Sequence, residues 1–245
     1  MKLIQPSQIN TPVHAEVLWG GGIVFAPMEH EKPASSSQLQ RQRRTRSMLE
    51  DCSALIVDDH FVYASGHHGP GWIAKDVINM DPTRPHALGC MLAEAIEESG
   101  CAPDLVCGPA IGGVISAQYT ALALGVECVF AERARIDDSE EFCLKRRYDE
   151  AVSGRRVLIV DDVINTGHSI KLVRSALEAA GGEVIAVAAW ISRGNVGAES
   201  FGVDTFIYLD EVHLPSHPAE TCELCARSVP INKHYAHGAD FIVRN

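Results

Sequence analysis

The sequence lacks the features that would place it in a membrane or on a nucleic acid. No apolar run in its 245 residues approaches the ~20 residues that a membrane-spanning helix needs. The N-terminal stretch MKLIQPSQINTPVHAEV has no basic start followed by a long apolar core, so no signal peptide is expected. A net charge of −11 disfavours non-specific binding to nucleic acid. We therefore expect a cytoplasmic protein that binds neither membranes nor nucleic acid.

One short segment departs from this acidic background. RQRRTR, from Arg41 to Arg46, is strongly basic. A charge run of this kind is typical of a solvated helix face, which is the interpretation adopted here.

The sequence also lacks the pattern of a disulfide framework. Its eight cysteines are scattered, and Cys107 and Cys128 fall in predicted core strands, so reduced thiols are expected. The one close pair, Cys222 and Cys225 in CELC, is half of a zinc knuckle with no second CxxC after it. Two interpretations stay open, free thiols in a surface tail or a structural zinc site. The flanking histidines that could complete such a site are His213, His217, His234 and His237.

What the sequence does contain is a regular alternation of strands and helices. A helical period runs from about Ser37 to Ala54, LIVDDHFVYASG predicts two short strands, HHGPGW a loop, and HALGCMLAEAIEESG a helix. Strands then follow at DLVCG, VECVFAE, RRVLIVDD, EVIAVAAWIS and DTFIYLD, with helices at GGVISAQYTALALG and SIKLVRSALEAAGG. Continuous apolar strands alternating with helices predict an α/β fold, a parallel sheet covered on both faces.

The string VLIVDDVINTGHS combines acids with a small polar loop. Asp161 and Asp162 end an apolar strand, at the edge where α/β sheets bind ligands. We expect the chain to turn there, so that both carboxylates face one cleft and meet sugar hydroxyls or a hydrated Mg²⁺. Gly167 permits a tight turn before the next helix, whose first N–H groups form an anion site beside the hydroxyls of Thr166 and Ser169. A plain turn with Ser169 as helix cap is the alternative. The whole string favours a site for a phosphorylated sugar.

This string resembles the PRPP-binding signature of the type I phosphoribosyltransferases. VCGPAIGGVISA resembles a second family element, the loop that holds pyrophosphate, although its glycines could also serve close helix–strand packing. GPAIGGV, HFVYASGHHGPGWIAKD and WISRG look like orotate phosphoribosyltransferases and their close relatives. The resemblance runs from about Met48 to Ile191.

The resemblance implies a parallel, doubly wound α/β sheet with a small N-terminal hood. It divides the chain into an N-terminal extension (1–36), a phosphoribosyltransferase domain that includes the hood (37–210), and a C-terminal tail with the CxxC (211–245). PRPP would be bound by Asp161, Asp162, Val163, Ile164, Asn165, Thr166, Gly167, His168 and Ser169. The pyrophosphate loop would be Gly108, Pro109, Ala110, Ile111, Gly112 and Gly113.

The resemblance also suggests residues for the base. Asn165 sits where the family often has a threonine near the base, and Arg193 sits near an arginine that grips the carboxylate of orotate. Arg193 could instead be a solvated loop residue. Lys75 is a further candidate for the substrate, or a surface lysine.

Segment 133–153 is long, polar and poorly periodic, which predicts a loop with a possible hairpin arm. It matches the mobile catalytic loop of the family, which closes over the site of the neighbouring subunit and so implies a homodimer. Arg133 falls at a basic family position, and Lys145 and Arg146 are the other catalytic candidates, alongside Asp161 and Asp162. The expected lysine and histidine are absent, because residues 136–138 are Ile-Asp-Asp.

The activity that the resemblance implies is PRPP-dependent transfer of ribose 5-phosphate to orotate, with Mg²⁺ and release of pyrophosphate. Two alternatives stay open, transfer to another nucleobase and a non-catalytic PRPP-binding regulator. No clear helix-turn-helix precedes the domain, and there is neither a nucleophile elbow nor a P-loop.

Overall fold

A computed structural model describes residues 35–137, 139–194, 196–239 and 241. The predicted N-terminal extension lies outside these residues except for its last two, and so does Asp138. Residues from Ser35 onward belong to one compact unit. Within the described part of the chain, every helix is too short or too polar to cross a membrane.

The helices and strands follow one another in nearly regular alternation. The helices are α1 (Ser36–Asp51), α2 (Lys75–Asn79), α3 (Thr83–Glu98), α4 (Gly112–Leu124), α5 (Tyr148–Val152), α6 (His168–Ala179) and α7 (Glu223–Ala226). The strands are β1 (Leu55–Ile56), β2 (Phe61–Val62), β3 (His68–Gly69), β4 (Trp72–Ile73), β5 (Leu105–Pro109), β6 (Glu127–Ile136), β7 (Ser139–Cys143), β8 (Arg156–Ile164), β9 (Glu183–Ser192) and β10 (Phe206–Glu211). Short 3₁₀ turns cover Ala198–Phe201 and Ala219–Thr221.

The central sheet has six strands in the order β10-β9-β8-β5-β6-β7. All neighbours are parallel except β6 and β7, which form an antiparallel hairpin. In this order β6 lies on the side of β5 that faces away from β8, and β9 lies on the side of β8 that faces away from β5. The chain therefore crosses in opposite directions after β5 and after β8. This reversal of direction between β5 and β8 opens a crevice at their carboxyl ends. The expected parallel, doubly wound α/β fold is confirmed.

The two faces of the sheet carry separate apolar clusters. Leu158 and Val160 of β8 pack with helices α1 to α4 on one face, and Val157 and Ile159 pack with α5 and α6 on the other. All four side chains are fully buried, as expected for a strand covered on both sides.

A small hood precedes the sheet. It consists of two antiparallel pairs of two-residue strands, β1 with β4 and β2 with β3. The expectation that HHGPGW is only a loop is therefore wrong, since it contains β3 and its last residue begins β4. Strands this short have little stability of their own and depend on what packs against them.

The β6–β7 hairpin confirms the arm predicted within segment 133–153. β6 continues four residues past the predicted VECVFAE, and α5 occupies the end of the segment. Hairpin pairing of this polar stretch was hard to foresee, because its alternation of apolar and polar residues is weak.

Helix α1 is attached to the domain by two arginines of the basic run. Arg41 donates two hydrogen bonds to Glu98 of α3. Arg46 binds the buried carboxylate of Asp210 on β10 through Nε at 2.6 Å and Nη2 at 3.1 Å. The run is therefore not simply a solvated helix face, because two of its arginines form ion pairs with acids that are distant in the sequence.

Replacing Arg46 tests this attachment. In Arg46→Ala the carboxylate of Asp210 stays buried without its cation, which should lower the free energy of unfolding by about 3 kcal/mol. The matched control is Arg44→Ala on the exposed face of the same helix, which should change it by less than about 0.5 kcal/mol. Urea denaturation measures both. Equal midpoints for the two variants would contradict the assignment.

Candidate functional site at the switch point

The crevice between β5 and β8 is where the two sequence motifs meet. The loop after β5 leads into α4, and the loop after β8 leads into α6. Both loops follow carboxyl ends of neighbouring parallel strands, so they lie side by side.

The two acids lie within β8 rather than after it. The strand continues to Ile164, so the prediction that the chain turns at the acids is wrong. Successive side chains of an ideal strand point to opposite sides, but both carboxylates here approach the start of α4. Asp162 is buried and faces Lys75, whereas Asp161 is only partly buried and lines the cavity beside the loop 165–169.

Both acids border the glycine start of α4. A Cβ added to Gly113 would lie 2.8 Å from Oδ1 of Asp161, and one added to Gly112 would lie 2.9 Å from Oδ2 of Asp162. A side chain at either glycine would therefore have to displace the neighbouring carboxylate. The predicted pyrophosphate loop and the predicted ribose acids therefore share one surface.

Lys75 joins the hood to this surface. Its Nζ lies 2.9 Å from both carboxylate oxygens of Asp162, and a Cβ on Gly112 would clash with it. Burial lowers the pKa of Lys75, but the charge of Asp162, with smaller contributions from Asp161 and Asp76, outweighs this and raises the pKa overall. Lys75 is thus a fixed cation beside the 110–113 loop, which is not the position expected of a residue that only contacts a base.

The loop 165–169 surrounds a cavity of about 150 Å³. Gly167 has φ +71°, a conformation that side chains rarely adopt, and a Cβ there would clash with the ring of Phe201. Helix α6 begins at His168, so its first N–H groups face this cavity, as an anion site requires. Val163 and Ile164 line the cavity together with Asn165 and Thr166.

The hairpin arm reaches the same loop within one chain. Arg133 on β6 donates from Nη2 to Oγ of Ser169 at 3.2 Å and forms an ion pair with Glu140 of β7. His168 lies 3.6 Å from the same glutamate. Lys145 and Arg146 lie elsewhere, both paired with Glu132. Of the three basic candidates, only Arg133 contacts the phosphate loop.

Arg193 follows β9 and is buried, with 8% of its surface exposed. Nη2 donates to the carbonyl of Leu214 at 3.1 Å, and the guanidinium lies over the ring of Tyr63 at 5.6 Å. Its Nε has no hydrogen-bond partner among the described residues. The alternative of a solvated loop residue is therefore wrong. Tyr63, which supports this cation, was not predicted, since only the fold brings it from the hood to β9.

Asp161 carries an unusual protonation equilibrium. Burial raises the pKa of its carboxyl group, and the charge of Asp162 raises it further, to about 8, although Lys75 offsets part of the effect. Ionisation of both acids would therefore place more negative charge here than Lys75 alone compensates. Such a site favours a ligand that brings hydroxyl donors or a cation.

Comparison with known proteins identifies the family. The phosphoribosyl transferase domain model matches residues 83–207, just over half of the chain. Orotate phosphoribosyltransferase from Thermus thermophilus is 34% identical over 195 residues, which cover 80% of this chain and 98% of that protein. The orotate phosphoribosyltransferase of Heliobacterium modesticaldum is 34% identical over 181 residues, covering 74% and 91%.

Solved structures agree on the fold. Orotate phosphoribosyltransferase from Aeropyrum pernix superposes with a TM-score of 0.57 at 22% identity, over 67% of this chain and 92% of that one. Adenine phosphoribosyltransferase from Thermoanaerobacter pseudethanolicus has a TM-score of 0.52 at 21% identity, over 66% and 99%. Because enzymes for two different bases share it, the fold alone does not select the substrate.

The pKa of Asp161 predicts how stability depends on pH. Between 3.8, its ordinary value, and about 8, the folded chain keeps a proton that the unfolded chain has released. The free energy of unfolding should therefore fall as the pH rises across this window. Asp161→Asn should remove this loss, so that the variant is more stable than the wild type at pH 8 and by a much smaller margin at pH 5.

The control for this measurement is Asp149→Asn, which removes the same charge from an exposed position. Urea denaturation at both pH values compares the three proteins. If Asp161→Asn and Asp149→Asn show the same pH dependence as the wild type, the raised pKa is refuted.

Proposed function

The chain belongs to the type I phosphoribosyltransferase family and is a phosphoribosyltransferase, and from this premise we propose that it acts on orotate. The proposed reaction transfers ribose 5-phosphate from PRPP to a ring nitrogen of orotate, forming orotidine 5′-phosphate and pyrophosphate. The observation that carries the choice of orotate is the buried cation Arg193.

The 5′-phosphate of PRPP is assigned to the cavity beside the loop 165–169. There the first N–H groups of α6 donate to the phosphate oxygens, and the Thr166 and Ser169 hydroxyls add donors. Arg133 contacts Ser169 and adds positive charge to the same place. The neighbouring carboxylate of Asp161 accepts hydrogen bonds from the ribose hydroxyls.

The pyrophosphate group is assigned to the loop 108–113. Without side chains at Gly112 and Gly113, the backbone can approach phosphate oxygens closely. The ammonium group of Lys75 lies beside this loop and is held there by Asp162. Lys75 is therefore proposed as a donor to pyrophosphate rather than to the base.

The acids also suit Mg²⁺. Asp161 and Asp162 are adjacent carboxylates, and the charge of Asp162 helps to raise the pKa of Asp161. Mg²⁺ prefers a few carboxylates together with water and phosphate oxygens. When bound with PRPP, Mg²⁺ would neutralise part of the charge on the pyrophosphate. The fit rests on the donor set alone.

The residues of the site provide electrostatic catalysis. Departure of pyrophosphate leaves positive charge on the ribose ring, as in glycoside cleavage. The carboxylate of Asp162 favours that charge, and so does Asp161 once a bound cation has displaced its proton, while Lys75 stabilises the charge that collects on the leaving group. No covalent intermediate with the protein is required.

Arg193 supplies a reason to prefer orotate over a neutral base. Its guanidinium is buried, has a carbonyl and an aromatic ring as partners, and forms no ion pair with an acid among the described residues. A buried cation without an anion is costly unless a ligand supplies one. The carboxylate of orotate is such an anion, and a guanidinium can bind it through two parallel hydrogen bonds.

A combined change of enzyme and substrate tests this proposal. Arg193→Ala should lower kcat/KM for orotate on the order of 100-fold, the equivalent of about 3 kcal/mol for hydrogen bonds to a charged group. Uracil lacks the carboxylate, so the same variant should leave its low kcat/KM nearly unchanged. Pyrophosphate release is the assay, and Arg44→Ala is the control.

The assay also separates the alternatives. Equal losses for orotate and uracil would give Arg193 a structural role and contradict carboxylate binding. Pyrophosphate release only with a different base would identify that base as the substrate instead of orotate. PRPP binding without pyrophosphate release for any base would favour a regulator.

We also propose that the enzyme is a two-fold dimer, as the resemblance of segment 133–153 implies. Two large apolar side chains, Met80 and Leu122, are more than half exposed, and a dimer interface is one way to cover such residues. Light scattering coupled to size exclusion should give twice the mass of the chain at assay concentrations. Full activity of a demonstrated monomer would contradict this proposal.

A further inference from the structure

Four potential metal ligands meet where the C-terminal tail crosses the hood. His60 lies just before β2 and His68 lies in β3, whereas Cys222 immediately precedes α7 and Cys225 lies within it. One ligand atom from each residue lies within 4.8 Å of all the others. This His60/His68/Cys222/Cys225 cluster is distinct from the switch-point site and does not depend on the proposed function.

The distances approach those of a tetrahedral zinc site. The sulfur of Cys225 lies 3.3 Å from Nδ1 of His68 and 3.6 Å from Nε2 of His60, and the sulfur of Cys222 lies 3.8 Å from the same Nε2. Zinc with ordinary bond lengths separates sulfur from nitrogen by about 3.6 Å. The two nitrogens lie 2.9 Å apart and must separate by about 0.4 Å to reach tetrahedral geometry.

Hydrogen bonding orients His60 toward the centre of the cluster. Its Nδ1 lies 2.7 Å from the carbonyl oxygen of Val229, which can only accept, so Nδ1 carries the proton. Nε2 of the neutral ring therefore presents its lone pair to the other three ligand atoms. A backbone carbonyl on the far ring nitrogen is the usual support of a metal-bound histidine.

The cluster lies in a largely buried position. His60 and His68 are each 1% exposed and Cys222 is 4% exposed, while Cys225 closes the cluster at the surface. Nε2 of His68 is buried without a hydrogen-bond partner among the described residues. With Nδ1 as the metal ligand, this nitrogen carries the proton of the neutral ring.

We propose that His60, His68, Cys222 and Cys225 bind one Zn²⁺ ion as a structural site. Two nitrogens and two sulfurs complete a tetrahedral set, which leaves no open position for substrate. On binding, the two thiols release their protons to solvent, and two thiolates then balance the charge of the ion. This soft donor set also separates the site from the carboxylates proposed for Mg²⁺.

The histidines differ from those that the sequence suggested. His213, His217, His234 and His237 flank the CxxC in sequence, but the cluster uses His60 and His68. These lie 165 and 157 residues from Cys225, respectively, so the spacing rules for zinc motifs do not reach them.

The ion would attach the tail to the hood. Backbone hydrogen bonds already join His68 with His217 in both directions, Asn232 with His60, and His237 with Val62. These contacts involve strands of two residues, which cannot supply much stability. A metal is a common means of stabilising so small a unit.

Metal analysis of the full chain is the first test. Protein purified under reducing conditions without chelator should contain about one zinc per chain. Replacement by Co²⁺ should give the sulfur-to-cobalt charge-transfer band and the intense visible bands of a tetrahedral thiolate site. Cys222→Ser with Cys225→Ser should lose the zinc, and the control Cys90→Ser with Cys101→Ser should retain it.

A second variant keeps the test decisive if the serine variant fails to fold. His68→Cys should retain the metal and strengthen the charge-transfer band, because a third thiolate replaces a nitrogen. His68→Ala should bind the ion more weakly. Removal of zinc from the wild type by a chelator should lower its Tm, and added Zn²⁺ should restore it.

Three outcomes would overturn the proposal. The first is wild-type protein that stays metal-free after incubation with Zn²⁺ and gives no thiolate band with Co²⁺. The second is a Cys222–Cys225 disulfide in protein kept under reducing conditions. The third is full zinc content in a folded Cys222→Ser, Cys225→Ser variant, since the ion would then lie elsewhere.

Discussion

Two adjacent carboxylates on a strand buried on both faces set the electrostatic constraint on this fold. The charge of Asp162 is compensated by an ion pair with Lys75, which directly follows the hood, whereas Asp161 has a raised pKa. The glycines at the start of α4 keep side chains away from both acids. Protein groups alone therefore do not fully compensate the two acids. A ligand that supplies hydroxyl groups, phosphate and a cation would bind favourably there.

The sequence predicted those parts of the site that lie within one short stretch of the chain. The acids of β8, the turn at Gly167 and the start of α6 follow one another in one strand–loop–helix unit, so their proximity is local. Only the turn expected at the acids was wrong, because the strand runs two residues further than its composition suggested. Both carboxylates still border the glycine start of α4.

Pairings between distant segments were beyond prediction. Arg46 and Asp210 are 164 residues apart, and a charge run gives no sign of which arginine meets an acid. The buried state of Arg193 likewise depends on Tyr63 and Leu214, which three separate segments bring together. A single sequence shows which residues are charged, but long-range contacts decide which charges are buried and therefore which are available to a ligand.

The hood shows how stability and function are linked in this chain. Its strands are too short to hold their own register, yet they carry Tyr63 to Arg193 and precede Lys75. Gly69 and Gly71 let the tail approach, since a Cβ on Gly71 would lie 2.5 Å from the side chain of Leu214. Leu214, the carbonyl partner of Arg193, belongs to the same tail that the zinc cluster attaches. A metal bound there would support the surroundings of the proposed base site without touching substrate, so we expect the tail to affect specificity through the position of Leu214 rather than through chemistry.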